Sequence, residues 1–351
     1  MNSFSKIINE GIFIVAELSA NHAGSIDVAV EAIKAAKRAG ANAIKLQTYT
    51  PDTITIDSKK NDFKLTQGTI WDGQYLYDLY KEAYTPWEWH KELFRIAKEE
   101  GLICFSSPFD NTAVDLLEEL NNPIYKIASF EITDIPLIKY IASKGKPMIL
   151  STGIATQHDI NLALMTIRSQ GVNDVGLLKC TSSYPAPLNE ANLIMIQDFK
   201  MRFNVIPGLS DHTLGVTAPL VAVSLGAKII EKHFTIDKSI GGPDVSFSLD
   251  EKEFTDMVKA VREAEKVIGK IDYELTDKQI KGRDFSRSLY IVKDVRKGEK
   301  LTKNNIKSIR PGFGLHPKYY ESVLGKTFKN DYTKGTRLEN NLLEEWEFIK
   351  N

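Results

Sequence analysis

Residues 148–180 read MILSTGIATQHDINLALMTIRSQGVNDVGLLKC, and this stretch contains one complete repeat of the pattern that decides the fold. Two short apolar runs, Met148–Ser151 and Val175–Cys180, have the composition of buried β-strands. Between them, Asp159–Ser169 has the apolar spacing of an amphipathic helix. A strand, a helix and a second strand in this order predict one unit of an α/β fold.

The same alternation extends in both directions over the first 265 or so residues. The predicted strands are Ile12–Leu18, Ala43–Gln47, Leu102–Ser106, Tyr125–Ser129, Met148–Ser151, Val175–Cys180, Val205–Leu209 and Lys228–His233. The predicted helices include Val28–Ala39, Trp87–Glu100, Asp159–Ser169, Val216–Leu225 and Glu253–Ile268. Eight βα units in about 250 residues predict a (β/α)8 TIM barrel. An open doubly wound sheet is the alternative, but the first turn, residues 20–25, is not a dinucleotide-binding fingerprint.

One connection is unusually long, because residues 48–86 separate the second strand from its helix. Long connections in compact domains are commonly functional or disordered, and the aromatic residues here argue against disorder. Two interpretations stay open: a functional loop beside the site, or a lid that only packs on the barrel rim.

The pattern changes after Gly269. A polar stretch follows, and then short segments with frequent glycine and proline, such as residues 311–314. We therefore predict a barrel domain over residues 1–270, a linker over 271–284 and a small β-rich domain over 285–351. A domain of this size has a thin core and often depends on a neighbour.

Composition and charge exclude several classes of protein. The 351 residues include 45 Lys and Arg against 46 Asp and Glu, so the basic excess of a nucleic-acid-binding protein is absent. Two cysteines, Cys104 and Cys180, are too few for a disulfide framework or a thiolate zinc site. The first residues lack the apolar core of a signal peptide, and no stretch approaches the roughly 18 apolar residues of a membrane helix. We therefore expect a cytoplasmic protein with no nucleic-acid or membrane partner.

Polar residues concentrate at the carboxyl ends of the predicted strands, where a barrel of this kind has its active site. In chain order they include Glu17, Asn21, His22, Lys45, Gln47, Ser106, Ser107, Lys126, Ser129, Glu131, Ser151, Thr152, Ser182, Tyr184, Ser210, Asp211, His212, Glu231 and His233. Side chains alternate along a strand, so Lys45 and Gln47 share one face, as do Glu231 and His233. Lysines and hydroxyls suit a phosphate and a carboxylate. Two histidines near carboxylates suit a divalent cation.

These residues also have structural interpretations. A single lysine at a strand end can simply pair with a neighbouring glutamate. A single histidine is more often a hydrogen-bonded core residue, and we assign this role to His90, His158 and His316. His212 and His233 differ from these three because they end adjacent predicted strands at equivalent positions.

Eight short motifs occur in order along the barrel. They are Ala16–His22 (AELSANH), Ile44–Gln47 (IKLQ), Ser106–Phe109 (SSPF), Tyr125–Ser129 (YKIAS), Leu150–Gly153 (LSTG), Gly208–Thr213 (GLSDHT), Glu231–Thr235 (EKHFT) and Gly242–Asp244 (GPD). In this set the chain resembles the sialic acid synthase family, phosphoenolpyruvate-dependent synthases of nine-carbon 2-keto acid sugars. Residues 308–312 (SIRPG) resemble the family's antifreeze-like (SAF) domain, so the resemblance covers essentially the whole chain.

The resemblance implies a role for each matching residue. His212 and His233 match the ligands of a divalent metal ion, typically Mn²⁺, with Mg²⁺ or Co²⁺ as alternatives. Glu17 matches an acidic residue at the reaction centre, and Arg310 an arginine that the partner subunit delivers in a domain-swapped homodimer. The residues that match phosphoenolpyruvate contacts are Lys45, Ser107, Lys126, Ser129, Ser151 and Ser210. Those around the sugar are Glu131, Ser182, Tyr184 and Asp244, and Gln47 joins the substrate-binding set on the face of Lys45.

Two positions depart from the sialic type. Ser107 replaces a threonine and keeps its hydroxyl, whereas Ser182 replaces an asparagine that contacts the sugar, which predicts a different sugar. Residues 17–22 and the aromatic segment 71–89 resemble the branch of the family that makes pseudaminic acid. That resemblance implies 2,4-diacetamido-2,4,6-trideoxy-β-L-altrose as the sugar, with the N-acetylneuraminate and legionaminate branches as alternatives.

The expected activity is a transferase reaction between phosphoenolpyruvate and this acetamido sugar. Two proteins of other kinds remain as rivals. A metal-dependent aldolase could use the same end of a barrel, because fold alone does not define chemistry. A non-catalytic carbohydrate-binding protein has no need for two lysines and two histidines inside a barrel.

Overall fold

The computed structural model describes residues 11–344 and divides the chain into two compact units at Gly269–Lys270. In the first unit, eight parallel strands close into a barrel in chain order. They are β1 (Phe13–Glu17), β2 (Ala43–Thr48), β3 (Ile103–Pro108), β4 (Tyr125–Ile127), β5 (Met148–Ser151), β6 (Val175–Cys180), β7 (Ile206–Asp211) and β8 (Ile229–His233). Pairing of β8 with β1 closes the sheet, which confirms the predicted (β/α)8 architecture.

Helices alternate with these strands. They are α1 (Ile26–Arg38), α2 (Pro51–Ile54), α3 (Leu76–Ala83), α4 (Trp87–Glu99), α5 (Asn111–Glu119), α6 (Ile135–Ala142), α7 (Gln157–Ser169), α8 (Met195–Phe203), α9 (Thr217–Ser224) and α10 (Glu251–Ile268). Among residues 11–344 we find no helix with the length and apolar character needed to cross a membrane.

Helix α7 shows how local sequence sets these elements. It begins at a capping box, in which the Asp159 backbone N–H donates to Thr156 Oγ1 at 3.3 Å and the Thr156 N–H donates to Asp159 Oδ2 at 2.9 Å. Its buried residues, Ile160, Ala163, Leu164 and Ile167, recur at three- and four-residue spacing. One face of the helix therefore packs against the sheet, in an apolar cluster that also contains residues of β4, β5 and β6.

The barrel interior follows the two-residue alternation of its strands. Toward the amino ends of the strands the interior is apolar. The residues there are Phe13, Val15, Ala43, Phe105, Ile124, Ile149, Leu178 and Ile229. The next inward positions toward the carboxyl ends are polar, since Glu17 pairs in register with Lys45 and Ser210 pairs with Glu231. The apolar layer thus supports a polar layer at one end of the barrel.

Several element boundaries differ from the sequence-based prediction. Strand β4 ends at Ile127, because residues 129–131 form a 3-10 turn instead of extending the strand. Strand β7 extends to Asp211 rather than ending at Leu209. The long connection 48–86 is not a plain loop, because it contains α2 and α3.

The second unit has its own apolar core. An antiparallel pair, β9 (Ser288–Ile291) and β10 (Ile306–Ile309), is supplemented by isolated bridges such as Val295–Tyr332. Leu289, Ile291, Leu301, Ile306, Phe328 and Leu338 belong to this core. The unit also includes α11 (Asp277–Gly282) and α12 (Tyr320–Val323), and α11 lies inside the segment predicted as a linker.

Candidate active site

Four charged side chains form a buried layer above the apolar interior of the barrel. Lys45 Nζ lies 2.5 Å from Glu17 Oε2 and 3.9 Å from Glu231 Oε1, and Lys126 Nζ lies 3.8 Å from the same Glu231 oxygen. None of the four side chains is more than 7% exposed. Charges are expensive to bury unless they are paired, and here two cations face two carboxylates.

The environment of this layer shifts the pKa of each group. Burial raises the pKa of Glu17 to about 7, against the opposing attraction of Lys45. Burial also disfavours the Glu231 anion, but Lys126 and Lys45 bring its pKa below the ordinary value. Burial lowers the pKa of Lys126, whereas for Lys45 the two glutamates outweigh burial and raise its pKa. Near neutral pH, Glu17 is therefore close to the midpoint of its titration.

Hydroxyl groups surround the lysines. Lys126 Nζ donates to Ser151 Oγ at 2.6 Å, and Lys45 Nζ lies 3.5 Å from Ser107 Oγ. Ser210 Oγ donates to Glu231 Oε1 at 3.1 Å. The cluster combines ammonium and hydroxyl donors, which is the donor chemistry that phosphate and carboxylate ligands need.

Gly153 allows the end of β5 to approach two more serines. Its N–H donates to Ser129 Oγ at 3.1 Å. A Cβ at this position would lie 1.9 Å from Ser182 Oγ and 2.8 Å from Ser129 Oγ. Only glycine fits between these hydroxyls, so the backbone itself contributes a donor beside them.

A hydrogen-bonded chain connects the charged layer to the loop after β8. Gln47 Nε2 donates to Glu17 Oε1 at 3.0 Å and to Ser19 Oγ at 2.8 Å. Ser19 Oγ in turn donates to Asp244 Oδ2 at 2.5 Å. Ser19 has a φ of +46°, a left-handed conformation that costs a non-glycine residue roughly 1–3 kcal/mol. A role for Ser19 could not be predicted, because no sequence pattern marks a serine with positive φ.

The two predicted metal-binding histidines lie side by side. The ring centroids of His212 and His233 are 5.2 Å apart. His212 Nδ1 is 3.0 Å from the carbonyl oxygen of Thr181, a contact that places a hydrogen on Nδ1, so Nε2 is the atom that the neutral ring can offer to a metal. Burial lowers the pKa of His233 well below its ordinary value, so its imidazole is neutral, as a metal ligand must be.

The two imidazoles are donors that a divalent cation accepts. His233 Nδ1 is buried without a hydrogen-bond partner, and it lies 3.7 Å from Asp244 Oδ2. Within residues 11–344, no group of three or more His, Cys, Asp or Glu side chains is arranged to hold a metal ion. Two imidazoles alone would leave coordination positions for water and substrate, unlike a closed structural site.

A cavity of about 880 Å³ opens from this end of the barrel. The predicted site residues that line it are Gln47, Ser129, Glu131, Ser182, Tyr184, His233 and Asp244. Burial raises the pKa of Glu131 to about 7, and its Oε2 has no hydrogen-bond partner. The volume is within the usual range for small-molecule sites.

Aromatic rings form one wall of the cavity. The ring of Tyr184 lies 4.4 Å from that of His212, 5.0 Å from Phe247 and 5.4 Å from Trp71, measured between centroids. Trp71 belongs to the long connection after β2, and its Nε1–H donates to the carbonyl oxygen of Pro243 at 3.2 Å. The long connection therefore contacts the site, although the sequence could not predict that Phe247 would join this wall.

Arg310 is the one predicted site residue outside the first unit. It follows β10 in the second unit, and it is exposed. All other predicted site residues lie in the barrel unit, at strand ends or in the loops that follow them.

The sequence matches the NeuB family over residues 32–273 and the SAF domain over residues 286–344. A pseudaminic acid synthase from Campylobacter jejuni subsp. jejuni serotype O:2 is 50% identical, covering 93% of this chain and 95% of the relative. The N,N′-diacetyllegionaminic acid synthase of the same organism is 37% identical, covering 91% and 96%. The crystal structure of N-acetylneuraminic acid synthetase from Leptospira borgpetersenii serovar Hardjo-bovis aligns with a TM-score of 0.70 at 32% identity, covering 78% of this chain and 90% of that one.

The family match spans well over half of the chain, and the relatives match it along nearly their whole length. The resemblance to sialic acid synthases is thereby confirmed, and the chain belongs to the NeuB family.

Proposed function

We propose that the protein is a transferase that condenses phosphoenolpyruvate with 2,4-diacetamido-2,4,6-trideoxy-β-L-altrose, giving pseudaminic acid and phosphate. The observation that carries the proposal is the buried layer of Lys45 and Lys126 beside a cavity of about 880 Å³ that His233 lines. The choice of sugar is supported by the higher identity to a pseudaminic acid synthase, 50% against 37% for the legionaminic acid enzyme.

Phosphoenolpyruvate carries two anionic groups, and the lysine layer offers cationic and hydroxyl donors for both. Lys45 with Ser107, and Lys126 with Ser151, are the donor pairs that would hold the carboxylate and phosphate ends. Ser129, Ser210 and the backbone N–H of Gly153 add further donors. Holding the small substrate rigidly in this way supplies much of the barrier reduction that a condensation needs.

The reaction is aldol-like. Carbon 3 of phosphoenolpyruvate attacks the aldehyde carbon of the open-chain sugar, whose oxygen takes up a proton. Water adds at carbon 2, and phosphate leaves as the carbon–oxygen bond breaks. Positive charge develops at carbon 2, and the Glu17 carboxylate stabilises it or accepts the proton of the incoming water.

The sugar would occupy the remaining part of the cavity, between Glu131, Ser182, Tyr184 and Asp244. A divalent cation, Mn²⁺ by family resemblance, would be held by His212 and His233, and when bound it supplies Lewis-acid polarisation and orientation of the aldehyde. The aromatic wall of Trp71, Tyr184 and Phe247 suits the methyl groups of a 6-deoxy, diacetamido sugar.

The direct test is phosphate release from phosphoenolpyruvate, measured with Mn²⁺ present against a panel of acetamido sugars. We expect release only when both substrates are present, with the diacetamido-trideoxy-altrose as the best sugar. Turnover of a sugar without phosphoenolpyruvate would instead identify a metal-dependent aldolase. Sugar binding by calorimetry with no turnover would identify a carbohydrate-binding protein.

A further inference from the structure

Ser19 lines the cavity and combines three properties. Its side chain is buried, with the residue 4% exposed, its backbone is left-handed, and its hydroxyl is fully engaged. Glycine adopts a φ of +46° without strain, whereas a serine with this φ carries a conformational cost. Such strain at a cavity wall is a reason to look for a role of the side chain.

The hydroxyl of Ser19 joins groups from three different elements. It accepts from Gln47 Nε2 of β2 at 2.8 Å and donates to Asp244 Oδ2, in the loop after β8, at 2.5 Å. Gln47 also donates to Glu17 of β1. The chain of contacts therefore runs from the carboxyl of the charged layer to the carboxylate on the sugar side of the cavity.

Removal of this hydroxyl leaves its neighbours poorly constrained. Asp244 Oδ2 would keep only the Ala20 N–H at 3.5 Å and the distant His233 Nδ1 at 3.7 Å. Gln47 Nε2 would keep Glu17 alone. Glu17 itself stays bound to Lys45 at 2.5 Å, so the phosphoenolpyruvate side of the site is held independently of Ser19.

We propose that Ser19 is a positioning residue, which orients the Asp244 carboxylate and the Gln47 amide toward the sugar. This inference rests on the proposed function and extends it, because it identifies a strained residue that acts on one substrate only. A glycine at this position would avoid the conformational cost but would leave Asp244 without its closest donor.

The test compares Ser19→Gly and Ser19→Ala with a matched control, Ala23→Gly. Ala23 lies in the same connection, has the same φ of +46° and is exposed. Glycine suits the left-handed backbone and alanine keeps the Cβ, so a loss common to both variants belongs to the hydroxyl. We expect kcat/KM for the sugar to fall 10- to 100-fold in both, while the calorimetric Kd for phosphoenolpyruvate changes less than threefold. The control Ala23→Gly keeps wild-type kinetics.

Other outcomes overturn the assignment. Full activity of Ser19→Gly would show that the backbone, not the hydroxyl, is what the site requires. A parallel loss of sugar turnover, phosphoenolpyruvate affinity and thermal stability would show a purely structural role. If the wild-type protein releases no phosphate from phosphoenolpyruvate, the proposed function fails, and crystal structures of wild type and Ser19→Gly then decide the role of Ser19. If the Asp244 carboxylate has the same position in the variant as in wild type, the inference is wrong.

Discussion

His212 and His233 lie side by side, with ring centroids 5.2 Å apart, and we propose that they hold a divalent cation. We predict that His212→Ala abolishes Mn²⁺ binding, observed by electron paramagnetic resonance of the free ion, and with it phosphate release. The fold should survive, because the substitution removes a side chain at the cavity and not in the apolar core. His158→Ala, at an exposed position on α7, is the control and keeps both properties. Full wild-type activity after chelation and gel filtration would contradict the metal assignment.

His90 is buried like His212 and His233, but its role is structural. Its Nε2 contacts Thr48 Oγ1 at 2.9 Å and its Nδ1–H donates to the carbonyl oxygen of Pro86 at 3.2 Å. Burial lowers the pKa of His90 from 6.5 to about 4. The unfolded chain therefore binds a proton at this residue between those pH values while the folded protein does not, so stability is lost as pH falls from 6.5 toward 4.

We predict that His90 contributes up to about 3 kcal/mol to this acid destabilisation, from 1.36 kcal/mol per pKa unit. Urea unfolding of wild type and His90→Gln at pH 7.5 and pH 4.5 measures it. The variant should be less stable at pH 7.5 but should lose less stability on acidification. Equal acid losses in the two proteins would show that His90 is already protonated in the folded state.

At the scale of elements, a buried ion pair joins β7 to β8 beside the histidines. Lys232 Nζ lies 2.5 Å from Asp211 Oδ2, and both side chains are at most 1% exposed. Lys232 also donates to the carbonyl oxygen of Thr213. Breaking a buried pair leaves an uncompensated charge, whereas an exposed pair contributes little.

We therefore predict that Lys232→Met lowers the free energy of unfolding by about 3–5 kcal/mol. Lys238→Met is the matched control, because Lys238 pairs with Glu253 at the surface, with side chains 39% and 44% exposed. Its cost should be below about 1 kcal/mol. Denaturant unfolding at neutral pH compares them, and similar costs for the two variants would refute the argument.

The segment 64–75 of the long connection bears on the choice of sugar. Lys64 and Tyr75 form an isolated antiparallel bridge, and Trp71 at the tip of the segment packs against Tyr184. We predict that wild type prefers 2,4-diacetamido-2,4,6-trideoxy-β-L-altrose to N-acetylmannosamine in kcat/KM. The diacetamido sugar has two more methyl groups than N-acetylmannosamine, and each buried methyl contributes on the order of 0.8 kcal/mol, so Trp71→Ala should reduce this preference about tenfold.

Trp71→Phe separates the ring from its hydrogen bond, because it keeps the aromatic face and loses only the donor to Pro243. It should retain most of the preference. Equal kcat/KM values for the two sugars in wild type would move the protein to the sialic acid branch and leave the condensation chemistry intact.

The positions of the strands, and the face that each strand turns to the barrel interior, follow from the sequence. An alternation of period two places Lys45 and Gln47 together on the inner face and Leu46 on the outer face, against the helices. Glu17 meets Lys45 because β1 and β2 are neighbours, whereas the approach of Glu231 of β8 to Lys45 depends on barrel closure, which the count of βα units predicts. The Ser19 conformation and the Phe247 contact could not be predicted, because each depends on how a loop returns over the barrel. Long-range loop contacts have no local sequence period.

At the scale of the whole molecule, the second unit contains the one predicted site residue that the barrel lacks. We propose that Arg310 of one subunit completes the site of its partner in a homodimer. Arg310→Ala and His212→Ala chains should each be inactive alone. Mixed under conditions that exchange subunits, they should regain up to about a quarter of wild-type activity, because one site in each mixed dimer then has both residues. Mass spectrometry of isotope-labelled chains verifies exchange, and exchanged dimers without activity would disprove the shared site.

The two cysteines have a further consequence at this scale. Cys104 of β3 and Cys180 of β6 are both free and buried, and the sequence has no other cysteine. Cys104 belongs to the apolar core between the barrel and its helices, so a thiol reagent reaches it only when the barrel opens, and its labelling rate reports the free energy of that opening. The second unit, residues 270–351, contains no cysteine. Pulsed alkylation of Cys104 followed by mass spectrometry thus isolates the motions of the barrel in the intact protein, with a native reporter on β3 and no engineered probe. Cys180, whose thiol lies beside His212 and Ser182, reports access to the cavity instead.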